Sequence, residues 1–478
     1  MKKIQLLIKN IYFFFEFIIA LALIKKEAKQ EKYKKKVLIT PLRGLDNTWI
    51  DYLLAIKFSK SYNITVVMMH PSTLPFNEAE KYGKISTKLM LRWYEMKFFL
   101  LIILLKIKGV YIIVINKKKF FNNLKEIDID DINIIENTKD EFLRRYFGDR
   151  NYKENDLYLK IKKDVNNVFE NMYSLLNNQI KDIDLLWTSH AIYEWGLAYR
   201  LASKYKKCIA VWGRNIYNTH LISTSDGPLQ IKKPKGYLYK KYKLDLDRRL
   251  HGQEIDQPTI FDKGLDGRLD EFFEKNKNIV LLTPNCIWDG DISDRDTIFD
   301  DLYDWVQYTL DLSKINNDFA VIVRFHPAEA TLWKNRPGLW KMFEENILSD
   351  NQLLIPPESK ISTIELAKKS NKVIFYSGIL SLECLHLNIT PYCVSNSFYK
   401  HVNGIYKIKT KNEYNDLLKF DSVKNLENLG DISYNDLFCY GLEIIGKNKD
   451  LRSNPKFGAY SKQTEIEKYF LELLKNDK

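Results

Sequence analysis

Apolar runs of four to six residues alternate along this chain with segments of helical periodicity, and polar or glycine-bearing loops separate them. Residues 36–40 form a first short strand, 41–47 read as its loop, and apolar positions at helical spacing from 48 to 58 predict the helix that follows. Strand, glycine loop and helix together open a Rossmann-like domain. Further strands are predicted at 64–69, 183–187 and 208–212, with a helix at 191–205 between the last two. The apolar run 98–105, broken by Lys106, Lys108 and Gly109 before 110–115, predicts a buried helix feeding a buried strand. Residues 122–164 are charged and weakly patterned, and are expected to be surface helices and loops shaping the mouth of a cleft.

The same alternation restarts in the C-terminal half. Strands are predicted at 279–282, 320–325, 353–355, 373–376 and 392–394, and helices at 299–312, 362–369 and 381–387. Ser362-Thr363-Ile364-Glu365 has the spacing of a capping box, which fixes one helix start. The stretch 224–236 holds Gly227, Pro228, Pro234 and Gly236 without periodicity and reads as a linker or long loop, followed by a charged helix at 240–250. The predicted class is α/β: two Rossmann-like domains facing a cleft, preceded by an N-terminal amphipathic helix. The expected boundaries are 1–30 for that helix, 31–245 for the first domain, 246–460 for the second, and 461–478 for a C-terminal helix crossing back to the first.

Composition narrows the partners. Apolar residues make up 45% of the chain and aromatics 13%, which excludes a disordered protein. Five cysteines, Cys208, Cys286, Cys384, Cys393 and Cys439, show neither a C-x-x-C pair nor regular spacing, so the reducing cytoplasm is the expected compartment. The net charge of +13 suits an anionic partner. Lysine is abundant throughout, however, and the basic residues form no stripe with interleaved aromatics, so no nucleic-acid partner is expected.

Residues 4–24 are mostly apolar, with Lys2, Lys3, Lys25 and Lys26 at the flanks, but Lys9, Asn10 and Glu16 interrupt the run. Lys9 and Glu16 are seven apart and share a helix face. The pattern therefore fits a helix lying on the inner leaflet, its lysines on anionic headgroups, better than a spanning helix. Ala20-Leu21-Ala22 mimics a signal-peptidase site but lies inside the apolar run, so cleavage is not expected. A helix packed on the first domain is the competing reading.

The chemistry gathers where strands end. Ala320-Val321-Ile322-Val323-Arg324-Phe325-His326-Pro327-Ala328-Glu329 and Val373-Ile374-Phe375-Tyr376-Ser377-Gly378-Ile379-Leu380-Ser381-Leu382-Glu383 each run from a strand through a polar loop into a helix, about fifty residues apart. Unpaired backbone N–H groups and the helix dipole make such places anion sites. If the two strands are neighbours in a parallel sheet, their loops could hold one nucleotide. The order Asn285-Cys286-Ile287-Trp288-Asp289, Arg324 to Glu329, Ser377 to Glu383 and Ser397-Phe398-Tyr399 resembles the capsule polysaccharide biosynthesis proteins of bacteria. Those are similar to glycosyltransferases of the two-Rossmann-domain (GT-B) type, some of which transfer Kdo from a CMP-activated donor. The likeness spans roughly residues 180 to 400. It departs at Gly378, where the family usually has a second hydroxyl residue, and at Asn388, where a glycine is common. Asparagine tolerates the left-handed conformation, so that turn is expected to survive.

The resemblance implies that His326 contacts the donor phosphate, and Arg324 or Glu329 is expected to flank it. Ser377, Gly378 and Ser381 surround the second helix start, where hydroxyls and bare N–H groups suit phosphate oxygens. Glu383, in the first turn, either stabilises the helix dipole or, as the resemblance favours, binds ribose or donor sugar. The base for an acceptor hydroxyl is expected from the first domain: His190 oriented by Glu194, four residues on, or Asp46 after Gly44. The acidic cluster Asp289, Asp291, Asp294, Asp296 lacks calcium-loop spacing and reads as a solvated loop, so neither metal nor other cofactor is expected.

The expectation is therefore a glycosyltransferase moving a sugar from a nucleotide-activated donor to a capsule or lipopolysaccharide glycan. It would be peripheral on the inner face of the cell membrane, with a nucleotide sugar, a glycan or glycolipid acceptor, anionic lipid and a polysaccharide assembly complex as partners. The rivals are a CDP-polyol phosphotransferase of similar fold and a non-catalytic scaffold in polysaccharide assembly.

Overall fold

The computed structural model describes residues 35–41, 49–73, 84–115, 128–149, 151–188, 193–211, 222–223, 227–228, 267–287, 297–331, 337–378, 380–395 and 404–419, with scattered positions at 14–22 and 470–474. The chain forms two compact units, one of Met1–Phe142, Lys153–Gln230 and Gly441–Lys478, the other of Leu143–Tyr152 and Ile231–Tyr440.

The first unit runs β1 (Lys36–Thr40), α1 (Trp49–Phe58), β2 (Asn63–Met69), α2 (Lys84–Ile107), β3 (Tyr111–Ile115), most of α3 (Ile129–Phe147), α4 (Asp156–Lys181), β4 (Leu185–Thr188), α5 (Gly196–Lys204) and β5 (Cys208–Val211). Its five strands are all parallel in the order β3-β2-β1-β4-β5. β1 and β4 are buried almost end to end, as strands covered on both faces must be, and this is why they read as unbroken apolar runs. A two-residue antiparallel pair, β6 (Ile222–Ser223) with β7 (Gly227–Pro228), lies where the sequence suggested a linker. Phe470 is buried, stacked on Phe58 and edge-on to Trp187.

Two expectations need correction here. Helices were expected among the surface loops of 122–164, and within its described residues α3 and α4 supply them, but α4 is not confined to the surface: it buries Val165, Val168, Phe169, Met172, Leu176 and Ile180 along one face. Those residues recur at three- and four-residue intervals, but charged residues dilute the signal when the segment is cut at 164. The run 98–105 and the strand after it are only half buried. β3 sits at the sheet edge with Tyr111 exposed, and α2 leaves Phe99, Ile103 and Ile107 in solvent.

The second unit runs α6 (Gly267–Lys275), β8 (Ile279–Thr283), α7 (Leu302–Ile315), β9 (Ala320–Arg324), α8 (Ala328–Thr331), β10 (Gln352–Ile355), α9 (Thr363–Lys369), β11 (Lys372–Phe375), α10 (Leu380–His386), β12 (Pro391–Cys393), β13 (Tyr406–Lys407) and α11 (Lys411–Lys419). Six parallel strands lie in the order β10-β9-β8-β11-β12-β13. One face packs Trp305 and Val306 of α7 with Tyr414 and Leu418 of α11, the other Leu269 and Phe272 of α6 with Leu366 of α9 and Cys384 of α10. Trp305 donates to the Tyr414 hydroxyl at 2.9 Å, which satisfies an indole N–H that burial would otherwise strand. Ser362 caps α9 by accepting from the Glu365 N–H at 3.4 Å, as the sequence predicts. Asn388 stands at φ +58, the left-handed conformation expected of it.

Candidate functional site

In an open parallel sheet the strand order reverses direction once, and the loops beyond the carboxyl ends of the two strands at that point diverge and leave a crevice. In the second unit these strands are β8 and β11. Register fixes what stands there. Leu282 of β8 lies opposite Val323 of β9 on one side and Ile374 of β11 on the other. Three residues beyond that row, the three chains reach Asn285, His326 and Ser377 respectively. The strands carrying His326 and Ser377 are therefore not neighbours, as the nucleotide reading had required: β8 lies between them, and β8 supplies Asn285. With neighbouring strands about 4.8 Å apart, the two positions are separated by roughly 10 Å along a single edge.

Asn285 ties the edge together, its side-chain oxygen accepting from the Ser377 N–H at 3.1 Å. The His326 ring is exposed, and its Nδ1 accepts from the Ala328 N–H at 3.1 Å. A neutral imidazole whose Nδ1 accepts carries its proton on Nε2, so the His326 ring is a donor at that nitrogen. Proline at 327 keeps His326 out of helical geometry.

Arg324 and Glu329, expected beside the histidine at the ligand, are engaged elsewhere. The Arg324 guanidinium is buried and donates to the carbonyls of Phe325 (2.9 Å), Pro356 (2.6 Å) and Ser359 (2.9 Å), fastening the loop after β10. Burial pulls its pKa down to about 10. The Glu329 carboxylate accepts from the N–H groups of Leu339 (3.1 Å) and Trp340 (3.0 Å), and burial lifts its pKa to about 7. Gly338 is needed beside it: its φ is +67, and a Cβ there would come within 2.6 Å of Glu329 Oε2. Both charged side chains are thus engaged by backbone groups, Arg324 in the loop at 356–359 and Glu329 at 339–340. Ser381 is likewise buried, donating to the Gly378 carbonyl at 2.9 Å. Ser377 and Gly378 are half-buried, and Glu383 is buried within α10. A Cβ on Gly378 would find its nearest neighbour, Asn285 Oδ1, at 3.9 Å, so the missing hydroxyl is not excluded by space.

Sequence reasoning passed over Asn285 as a site residue, although it heads the first motif of the resemblance. Its place at the second position after an apolar strand, matching His326 and Ser377, is the signal that could have found it. The acidic cluster at 289–296 and Ser397-Phe398-Tyr399 lie outside the described residues. Among the described residues no group of three His, Cys, Asp or Glu side chains has a metal-binding arrangement.

In the first unit Asp46 and His190 also fall outside the described residues, while Glu194 is buried in a short 3₁₀ turn (Tyr193–Trp195) after β4. A residue the sequence did not single out is more conspicuous. Asp51, in the first turn of α1, is fully buried, and its Oδ1 accepts from Trp187 Nε1 at 2.8 Å. Desolvation raises its pKa to about 8, so it is held as the neutral acid near pH 7.

No family model and no curated protein matches the chain. Among solved structures, the chain is similar to KpsC of Thermosulfurimonas dismutans, a beta Kdo 2,4 transferase, at 11% identity and a TM-score of 0.31, over 54% of this chain and 79% of that one. It is similar to UDP-GlcNAc 2-epimerase of Methanocaldococcus jannaschii at 12% identity and a TM-score of 0.28, over 86% and 98%. A third likeness, to MurG of Acinetobacter baumannii, has 10% identity and a TM-score of 0.19, over 92% and 99%.

Proposed function

We propose that this chain is a glycosyltransferase of bacterial surface-polysaccharide assembly, and that it binds a nucleotide-activated sugar at the carboxyl edge of β9, β8 and β11. The observation that carries the reading is the convergence of His326, Asn285 and Ser377, three residues past one register row, at the reversal point of the second sheet. In this reading Nε2–H of His326 donates to a phosphate oxygen of the donor, and the Ser377 hydroxyl donates to another. Both contacts strengthen as negative charge gathers on the departing phosphate, so they favour the transition state over the ground state. In the transfer the acceptor hydroxyl gives its proton to a base, for which His190 or Asp46 is the proposed group, its oxygen becomes bonded to the anomeric carbon, and the nucleotide leaves with the phosphate oxygen that the sugar gave up. Arg324 and Glu329 act at one remove, holding the loops at 356–359 and 338–340 so that the histidine needs little reorganisation on binding.

The test is calorimetric titration of the full chain with CMP, CDP, UDP and GDP, repeated on His326→Ala. One nucleotide should bind, and the variant should bind it at least tenfold more weakly with an unchanged melting temperature. Saturable binding by CDP alone, with transfer of a polyol phosphate, would favour the phosphotransferase. Binding of none of the four would leave the scaffold.

A further inference from the structure

The N-terminal segment and α2 together carry an apolar face that the core does not use. Helical positions near the N-terminus divide cleanly: Phe14 and Leu21 are buried, whereas Phe15, Ile19 and Ala22 point outward at four- and three-residue intervals. Phe14 meets Trp93 of α2 edge-on at 5.6 Å, and Lys97 places its ammonium 5.4 Å from the Phe14 ring and 5.2 Å from that of Trp93. Lys108 donates to the Ala22 carbonyl. The described positions of the segment are thus fastened to α2, as the packed-helix reading expects, while Phe15, Ile19 and Ala22 stay exposed.

On α2 the outward residues are Met96, Phe99, Ile103 and Ile107, spaced at three, four and four residues and 43 to 76% exposed. That spacing is one stripe of a 3.6-residue helix. Arg92 and Lys106, both exposed, lie along the same side. The wider sequence has the same sign: residues 1–26 hold five basic and one acidic side chain, and residues 84–108 hold six and one. No described helix is long and apolar enough to cross a bilayer. A stripe of large apolar side chains with Arg92 and Lys106 beside it, on a helix that does not span, is the pattern of an interfacial surface.

We infer that the outward faces of the N-terminal segment and α2 form one docking surface for an anionic lipid bilayer, with Phe15, Ile19, Met96, Phe99, Ile103 and Ile107 entering the headgroup boundary and the basic rim resting on lipid phosphates. The partner is a membrane rather than a protein, because Arg92 and Lys106 beside the stripe, and the basic excess of the two segments in sequence, complement a uniformly negative leaflet. The inference stands on the first unit alone and is independent of the donor site.

Co-sedimentation of the full chain with phosphatidylglycerol and phosphatidylcholine vesicles tests it. The wild type should bind phosphatidylglycerol vesicles at least tenfold better than phosphatidylcholine, with affinity falling as salt rises. Phe99→Glu/Ile103→Glu should lose at least tenfold in binding while keeping its circular dichroism melt, since both side chains are already in solvent. Arg92→Gln/Lys106→Gln should lose mainly the preference for the anionic lipid. Undiminished vesicle binding by the folded Phe99→Glu/Ile103→Glu protein would overturn the inference. So would a wild type that ignores both vesicles yet forms a concentration-dependent oligomer abolished by the same pair of substitutions.

Discussion

The two sheets share a strand order through their first five strands, yet their carboxyl edges are built from opposite materials. In the second unit the edge is braced by side chains that bond to backbone: Asn285 to Ser377, Arg324 to three carbonyls, Glu329 to two N–H groups. In the first unit the neighbouring helix buries a neutral carboxylic acid, Asp51, against Trp187, and Trp195 donates to the Pro41 carbonyl at 2.8 Å. The contrast teaches that strand order provides only a crevice. The chemistry placed at its rim is chosen separately in each unit.

That contrast can be broken most severely at the second unit's braces. Arg324→Met removes the donor from three carbonyls at once and should cost about 2–4 kcal/mol in guanidinium unfolding, because buried acceptors left without donors bear their full desolvation cost. A loss below about 1 kcal/mol would show that the loop at 356–359 holds itself. Gly338→Ala should cost roughly 1–3 kcal/mol, from the left-handed φ and the collision with Glu329 together.

The buried acid of the first unit offers a sharper reading through pH. Asp51 has a folded pKa of about 8 against an ordinary 3.8, so between these values the folded state keeps a proton that the unfolded chain has released. Stability from this group is therefore fully present below about pH 4 and declines as pH rises through 8. Asp51→Asn, which keeps an oxygen for Trp187, should flatten that decline in melts taken from pH 4 to 8.5. Glu329, raised to about 7 from 4.5, declines in the same direction over a narrower window, so a residual slope up to about pH 7 should persist in the variant. An unchanged slope would place a charged Asp51 in the native state.

The smallest effect concerns Gly378. With 3.9 Å of room and no positive φ, Gly378→Ser should shift stability by no more than about 0.5 kcal/mol. Any change in nucleotide affinity would then report on the added hydroxyl alone.

Much of the second unit was legible because its parallel strands are apolar on both faces. Ala320 to Arg324 and Lys372 to Phe375 appear as short runs that the eye and the physics divide alike. The turn at Asn388 and the cap at Ser362 were legible as well, since both depend on one residue's own conformation or side chain. The backbone bonds of Arg324 and Glu329 were not legible for a related reason: a charge beside a histidine looks like a ligand contact, and whether backbone groups from residues 339–359 reach it is a matter of folding. The apolar run in α2 failed in the other direction. Periodicity says that a helix has an apolar stripe, but not whether another element covers it.

What the chain determined by itself was local: the αβ alternation, the strand ends where His326 and Ser377 fall, the cap and the left-handed turn. Each of these depends on dihedral preferences and on burial patterns that repeat within a few residues. Tertiary structure alone decided that β8 comes between β9 and β11 and brings Asn285 to the edge, that Arg324 and Glu329 bond to loop backbone, and that burial pushes the Asp51 carboxyl up. Those outcomes depend on groups far apart in sequence competing for the same hydrogen bonds and the same exclusion from water, and only a folded chain brings such competitors together.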